Sequence, residues 1–248
     1  MCSVRRSRAA LFAALAACLA ACGGESPAAP TSRLGVFTTL PVYWNESAGI
    51  EEMLSSNAAP PWTRRVIEER FVAVPLDTLA GANGLARVDA VLLAQPRALS
   101  AAENVALDDW VRAGGRALLF ADPLLTAHSR FNIGDRRRPQ DVVLISPILA
   151  RWGMTLEFVE DQEEGERIVA YGDVPLPVDV PGRLRLHEGR GECRLAAEAM
   201  VAECAIGAGS VTVIADAAVL AEPHDSDLAV RENALRGLLT RLERDRRE

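Results

Sequence analysis

From position 88 to 125 the chain reads as an apolar run, a periodic stretch and a second apolar run. Val88, Ala90, Val91, Leu92 and Leu93 are nearly continuous and end at Gln95-Pro96, the pattern of a strand buried on both faces of a parallel sheet. Ser100, with Glu103 three residues later, carries the signature of a capping box, and Val105, Leu107, Trp110 and Val111 then recur as the apolar stripe of a helix. Gly114-Gly115 stops that helix, and the run at 117–121 follows at once as a second strand. Such a strand–helix–strand unit crosses over right-handedly by default. Asp122-Pro123 is thereby put at the C-terminal edge of the sheet, where open parallel sheets bind ligands.

Before this unit, residues 33–38 predict the first strand, with Thr38, Thr39 and Pro41 at its C-terminal end. A loop follows, with one helical turn over 51–55. Pro60-Pro61 is the first-turn signal of a helix over 62–70, whose Val66, Ile67 and Phe71 mark a packed face, and 71–75 is a second strand. This alternation predicts an α/β domain with a doubly wound, mostly parallel sheet. Beyond Asp122 the pattern predicts a long excursion over 128–140 and a helix over 141–152 ended by Gly153. Strands at 154–159 and 167–171 flank an acidic turn, and Pro175, Pro177 and Pro181 break the next region into loop. Runs at 184–186, 193–197 and 201–206 predict an antiparallel C-terminal meander that feeds a last core strand at 210–215. A final helix over 228–243 carries Leu228, Leu235, Leu238, Leu239 and Leu242 on one side, with arginines at its C-terminal end, as the helix dipole favours.

The N-terminus follows another logic. Arg5, Arg6 and Arg8 precede an apolar stretch at 9–21 that is short for a membrane span and rich in small residues, the composition of an export signal. Leu19-Ala20-Ala21-Cys22-Gly23 resembles a bacterial lipobox, in which Cys22 is lipidated; the alternative is a plain cleaved signal with an incidental cysteine. On this reading 1–21 is a lipoprotein signal peptide, 22–32 a flexible Gly, Ser, Pro and Ala tether, and 33–248 the α/β domain. The mature protein is then periplasmic and held on a bacterial membrane by its lipid. The formal charge is −7, and the signal removes three arginines and no acid. Such an acidic chain is a poor partner for nucleic acid or an anionic bilayer surface.

Of the 5 cysteines, Cys193 and Cys204 alone belong to the predicted domain. Export makes a disulfide the default, with two antiparallel strands bringing them opposite each other, and two buried free thiols are the alternative. A zinc site is disfavoured, because His187 lies six residues before Cys193 and no two-residue Cys spacing exists. Arg136-Arg137-Arg138 is the densest basic run after the signal; it reads as a solvated loop or, more sharply, as an anion or partner contact.

The stretch VDAVLLAQPRALSAAENVALDDWVRAGGRALLFADPLL resembles the auxiliary component of gliding-motility-type ABC transport systems, a degenerate relative of the class I glutamine amidotransferase-like fold. A second match runs from Gly207 through the strand to Asp216, then Asn233-Ala234-Leu235, similar to that family's closing glycine turn, strand, Asp and helix. The resemblance implies a flavodoxin-like sheet and a role beside ABC permease and ATPase subunits, with a saccharide, peptide or protein as ligand. It does not carry the amidotransferase chemistry. Such an enzyme needs a cysteine nucleophile on a strand-to-helix elbow, and here that strand end reads Phe120-Ala121-Asp122-Pro123. Where a catalytic His would follow the last core strand the chain has Ala215-Asp216-Ala217.

No other catalytic set stands out. His128, His187 and His224 are scattered, Gly114-Gly115 lacks the spacing of a phosphate loop, and no cofactor motif is present. What remains is an expectation of geometry: Thr39, Gln95, Asp122 and Asp216 should emerge at one edge of the sheet. Each is read either as a local loop cap or as part of a ligand pocket. Two function classes follow. One is a non-catalytic binding lipoprotein of a transport system; the other is a hydrolase using the Asp122 and Asp216 carboxylates at split pKa values.

Overall fold

The computed structural model describes residues 30–46, 59–187, 192–223 and 227–244, so the signal, Cys22, the turn expected over 51–55 and His224 lie outside the described residues. The strands are β1 (Arg33–Thr38), β2 (Val72–Pro75), β3 (Ala90–Ala94), β4 (Arg116–Phe120), β5 (Met154–Glu157), β6 (Arg167–Tyr171), β7 (Val174–Val178), β8 (Arg183–Leu186), β9 (Glu192–Ala196), β10 (Val201–Ile206) and β11 (Gly209–Ile214). The helices are α1 (Trp62–Glu68), α2 (Ala101–Arg112), α3 (Ser146–Arg151) and α4 (Leu228–Arg244). Seven strands make the central sheet in the order β2-β1-β3-β4-β11-β10-β9. The first five are parallel, and β10 and β9 extend the sheet antiparallel beyond β11. The protein is thus α/β with a mostly parallel sheet.

Both faces of this sheet are covered, which is why β3 and β4 are buried throughout and apolar at every position except Arg116, the first residue of β4. Leu34, Val36, Leu92, Leu118 and Phe120 face one layer, built from α1, α4 and the β6–β7 ribbon. Phe37, Val91, Leu93, Leu119 and Val213 face the other, built from α2, α3 and the β5–β8 pair. Burying Leu235, Leu238, Leu239 and Leu242 of α4 stabilises the first layer by roughly 1.5–3 kcal/mol per side chain. Helix α2 starts as its sequence specifies, with a complete capping box between Ser100 and Glu103. Its stripe is narrower than expected, because Val105 is exposed while Glu103 and Asp108 are buried.

Several expectations beyond Asp122 are corrected. The helix predicted over 141–152 is confined to α3. Pro147 could not sit inside the longer helix, and residues 141–143 are spent on strand-like bonds: Leu125 N donates to Asp141 O at 2.9 Å, and Val143 N to Asp122 O at 3.2 Å. The strand predicted over 154–159 ends at Glu157, and β5 pairs with β8 while β6 pairs with β7. The proline region is a strand and not a loop. Pro175 and Pro177 lie within β7, where one side of each strand in a two-stranded ribbon lacks a partner, so missing N–H groups cost the ladder little. β8 therefore leaves the expected meander, which consists of β9, β10 and β11 alone.

Candidate functional site

The four residues expected at the C-terminal edge do converge: bonds link Thr39 to Gln95 and Gln95 to Asp122, and Asp122 reaches the residue after Asp216. Thr39 follows β1 and donates its hydroxyl to Gln95 O at 2.5 Å, while accepting from Gln140 N at 3.2 Å. Gln95 follows β3, is fully buried, and has a φ of 44°, a left-handed conformation unusual outside glycine. Its side-chain amide spans the loop after β4: Nε2 donates to Asp122 O at 3.0 Å and to Gln140 O at 2.8 Å, and Oε1 accepts from Asp122 N at 2.9 Å. Thr39 and Gln95 thus pin the returning end of the 122–145 excursion onto the sheet.

Asp122 and Asp216 close the next two strands, and each is about 1% exposed. Each carboxylate makes one bond of the short-range kind expected of a loop cap, to the N–H two residues on: Leu124 N to Asp122 Oδ1 at 2.9 Å, and Ala218 N to Asp216 Oδ1 at 2.6 Å. The second oxygen reaches across the fold. Asp122 Oδ2 accepts from Ala217 N at 3.2 Å, which ties β4 to the turn after β11, and Asp216 Oδ2 accepts from Asp179 N at 2.9 Å, which draws in the segment after β7. That segment also lies close over the edge, because Gly182 N donates to Ala215 O at 2.7 Å and a Cβ on Gly182 would stand 2.8 Å from Pro123.

The electrostatics follow from this burial. Removal from water pushes the Asp122 carboxyl up to about 6 against the pull of its two N–H donors, with repulsion from Asp179 adding to it. Asp216 is pushed well above the usual carboxylate range, first by burial and then by the neighbouring Asp122. The two share a low-dielectric site in which both cannot easily ionise. Among the described residues no group of three or more His, Cys, Asp or Glu is arranged to hold a metal ion.

Two contributors were missed in the sequence. Asp179 lies in the proline-rich stretch whose pattern predicts loop, and nothing local marks it as a neighbour of Asp216. Arg231, buried in α4, donates to Ala218 O and to Glu166, and so holds the turn that follows Asp216 from the other side. The basic run is largely spent on local pairs: Arg137 on Asp135 at 2.7 Å and Arg138 on Asp141 at 2.8 Å. His187 bonds Thr155 Oγ1 through Nε2 at 2.7 Å, away from this edge. Cys193 and Cys204 face each other in β9 and β10 and form a disulfide.

No protein-family model matches the chain, and no curated protein matches it. Among solved structures it is similar to the exo-β-1,4-mannosidase Op5Man5 from Opitutaceae bacterium strain TAV5, at 15% identity and a TM-score of 0.47 over 93% of this chain and 38% of that one. It is also similar to the cold-adapted β-galactosidase from Rahnella sp. R3, at 10% identity and a TM-score of 0.48 over 87% of this chain and 32% of that one. The cytoplasmic protein STM3548 from Salmonella typhimurium is matched at 11% identity and a TM-score of 0.47, over 86% of this chain and 98% of that one. The chain spans about a third of each glycosidase, 38% of one and 32% of the other, and likeness at this level carries nothing about activity.

Proposed function

We propose that this protein is a non-catalytic, lipid-anchored periplasmic component of an ABC transport system, acting by contact with the permease and ATPase subunits or with a saccharide or peptide ligand. Its domain is a degenerate amidotransferase-like one on a flavodoxin-like sheet. The order β2-β1-β3-β4-β11 of the parallel strands supports that finer reading, since it is the 2-1-3-4-5 order of doubly wound flavodoxin-like sheets. The transport half rests on the resemblance of residues 88–125 and 207–235 to the gliding-motility-type auxiliary family.

One observation carries the non-catalytic half. The strand end where an amidotransferase keeps its nucleophile holds Ala121, Asp122 and Pro123, and both oxygens of Asp122 are taken by backbone N–H groups. With no nucleophile there is no acyl intermediate to form, and the edge is occupied by the chain's own loops. The test is a purification of the full-length protein from detergent-solubilised membranes, beside Cys22→Ser. Co-purification of permease and ATPase subunits with the parent, with membrane attachment lost in Cys22→Ser and no ammonia released from glutamine, is the expected result. Soluble behaviour of the parent, or measurable glutaminase activity, overturns it.

A second reading, hydrolysis by the Asp122 and Asp216 carboxylates, draws support from the burial that raises both and from the repulsion of Asp216 by Asp122, the setting of acid–base pairs. It ranks below the first because neither carboxylate has an oxygen free of a backbone donor. Turnover of a glycoside or peptide panel that disappears in Asp122→Asn would promote it.

A further inference from the structure

The opposite end of the sheet carries a cleft unrelated to the four edge residues, and its chemistry is specific. It measures about 340 Å³ and is lined by Arg112, Arg151, Trp152, Glu192 and the turn at Gly207. Arg112 ends α2 and Arg151 ends α3, 39 positions later in the chain, yet both meet Asp108. Asp108 is fully buried, and its carboxylate accepts from Arg112 Nε at 2.9 Å, from Arg151 Nε, and from Trp152 Nε1 at 3.2 Å. Burial opposes ionisation of Asp108, but the bonds from the two guanidinium groups hold its carboxyl below the usual range.

This arrangement fixes both arginines by their Nε atoms and leaves the far edges of the guanidinium groups unspent. Among the described residues no Nη atom of either arginine takes a hydrogen-bond partner, and the two side chains are 46% and 54% exposed. One carboxylate offsets two positive charges, so Asp108, Arg112 and Arg151 together carry +1, with Asp109 also acting on Arg112. The Nη1–Nη2 edge is a planar pair of donors that matches two oxygens of a carboxylate or phosphate. Side chains already fixed by Asp108 lose less entropy on binding than free ones. The other wall is stapled: Glu192 and Ala205 are cross-strand partners adjacent to the Cys193–Cys204 disulfide, and Cys193 Sγ lies 3.7 Å from Trp152 O.

We propose that this cleft binds a small oxyanion-bearing ligand, a phosphate- or carboxylate-containing molecule, between the Arg112–Arg151 pair and the Glu192 wall. The volume sits at the low end of small-molecule pockets. Glu192, facing the pair, selects a ligand whose remaining part is neutral or cationic and weakens binding of a bare anion.

Isothermal titration of the full mature protein with inorganic phosphate, and separately with succinate, against sodium chloride of matched ionic strength tests the proposal. The expected result is saturable binding of at least one of the two, with Kd on the order of 1 mM, the better anion telling phosphate from carboxylate recognition. Arg112→Gln/Arg151→Gln should weaken it by about tenfold or more, as loss of charged hydrogen bonds requires. Because that variant leaves Asp108 buried without its cations, Glu192→Gln at an exposed position is the second arm, and it should tighten binding by about twofold to tenfold. No saturable binding of either anion, parental affinity in a folded double variant, or unchanged affinity in Glu192→Gln each overturns the proposal.

Discussion

The side-chain amide of Gln95 pairs with the peptide of Asp122 as a neighbouring strand would, giving Nε2–H to its carbonyl at 3.0 Å and taking its N–H through Oε1 at 2.9 Å. A side chain thus continues the β3–β4 ladder one step past the point where the strands separate, since Gln95 N already donates to Phe120 O at 3.0 Å. The third bond of that amide, to Gln140 O, fastens the excursion that covers the edge.

Gln95→Ala is expected to destabilise the protein by about 1–3 kcal/mol, because the buried Asp122 N loses its partner while Asp122 O keeps only the bond from Val143 N. Urea unfolding measures this, and limited proteolysis should find the 124–142 stretch cut sooner. Gln95→Gly should be no worse than Gln95→Ala, since a φ of 44° suits glycine. Unchanged stability in both variants would show the clamp to be dispensable.

A buried carboxyl with a raised pKa gives the molecule an inverted pH response. The folded state holds the Asp122 proton up to about pH 6, whereas the unfolded chain releases it near 3.8. The folded state therefore binds more protons across that window, and stability falls as pH rises through it, by roughly 3 kcal/mol for this group alone. Asp216, also raised, extends the fall toward higher pH. Glu103 acts in the opposite sense: its bonds with Arg97 hold it down to about 2, so its contribution is lost as pH drops below about 4. Denaturant unfolding at intervals from pH 4 to 8 should show a maximum near pH 4–5, and Asp122→Asn should flatten the descent above it. A parent profile that climbs steadily to pH 8 would contradict the coupling.

The disulfide closes a short loop, with a sequence separation of 11. Loop-closure entropy for that length corresponds to about 3 kcal/mol. Cys193→Ser/Cys204→Ser should lose about that much, and unfolded, non-reduced protein should expose no thiol from this pair to labelling.

The turn that joins β9 to β10 places Ala197, Glu198 and Ala199 at φ of 49°, 58° and 64° in succession. Left-handed conformations cost non-glycine residues roughly 1 kcal/mol each. Leu184 N donates to Ala199 O and Ala215 N to Met200 O, so the turn is held by strands on either side of it. Ala199→Gly should raise the thermal midpoint slightly, a gain of about 0.5 kcal/mol after the larger entropy of the unfolded glycine chain is set against it. A lower midpoint would mean that the Ala199 methyl group contributes more packing than strain.

The sequence alone determined the elements whose signals are local. The capping box of α2 lies within three residues, the double-sided burial of β3 and β4 is written as unbroken apolar runs, and Gly153 stops α3 with a positive φ at the expected position. The gathering of Thr39, Gln95, Asp122 and Asp216 at one edge was also legible, because parallel strands end on the same side. Only the tertiary structure decided what those residues bond to, since their partners stand far along the chain: Gln140 for Thr39, Ala217 for Asp122, Asp179 for Asp216. The same holds for the pairing of β5 with β8, the strand through Pro175 and Pro177, and the meeting of Arg112 and Arg151 on Asp108. Periodicity records which face of an element is buried, and it says nothing of which distant donor arrives there to replace the water that burial removes.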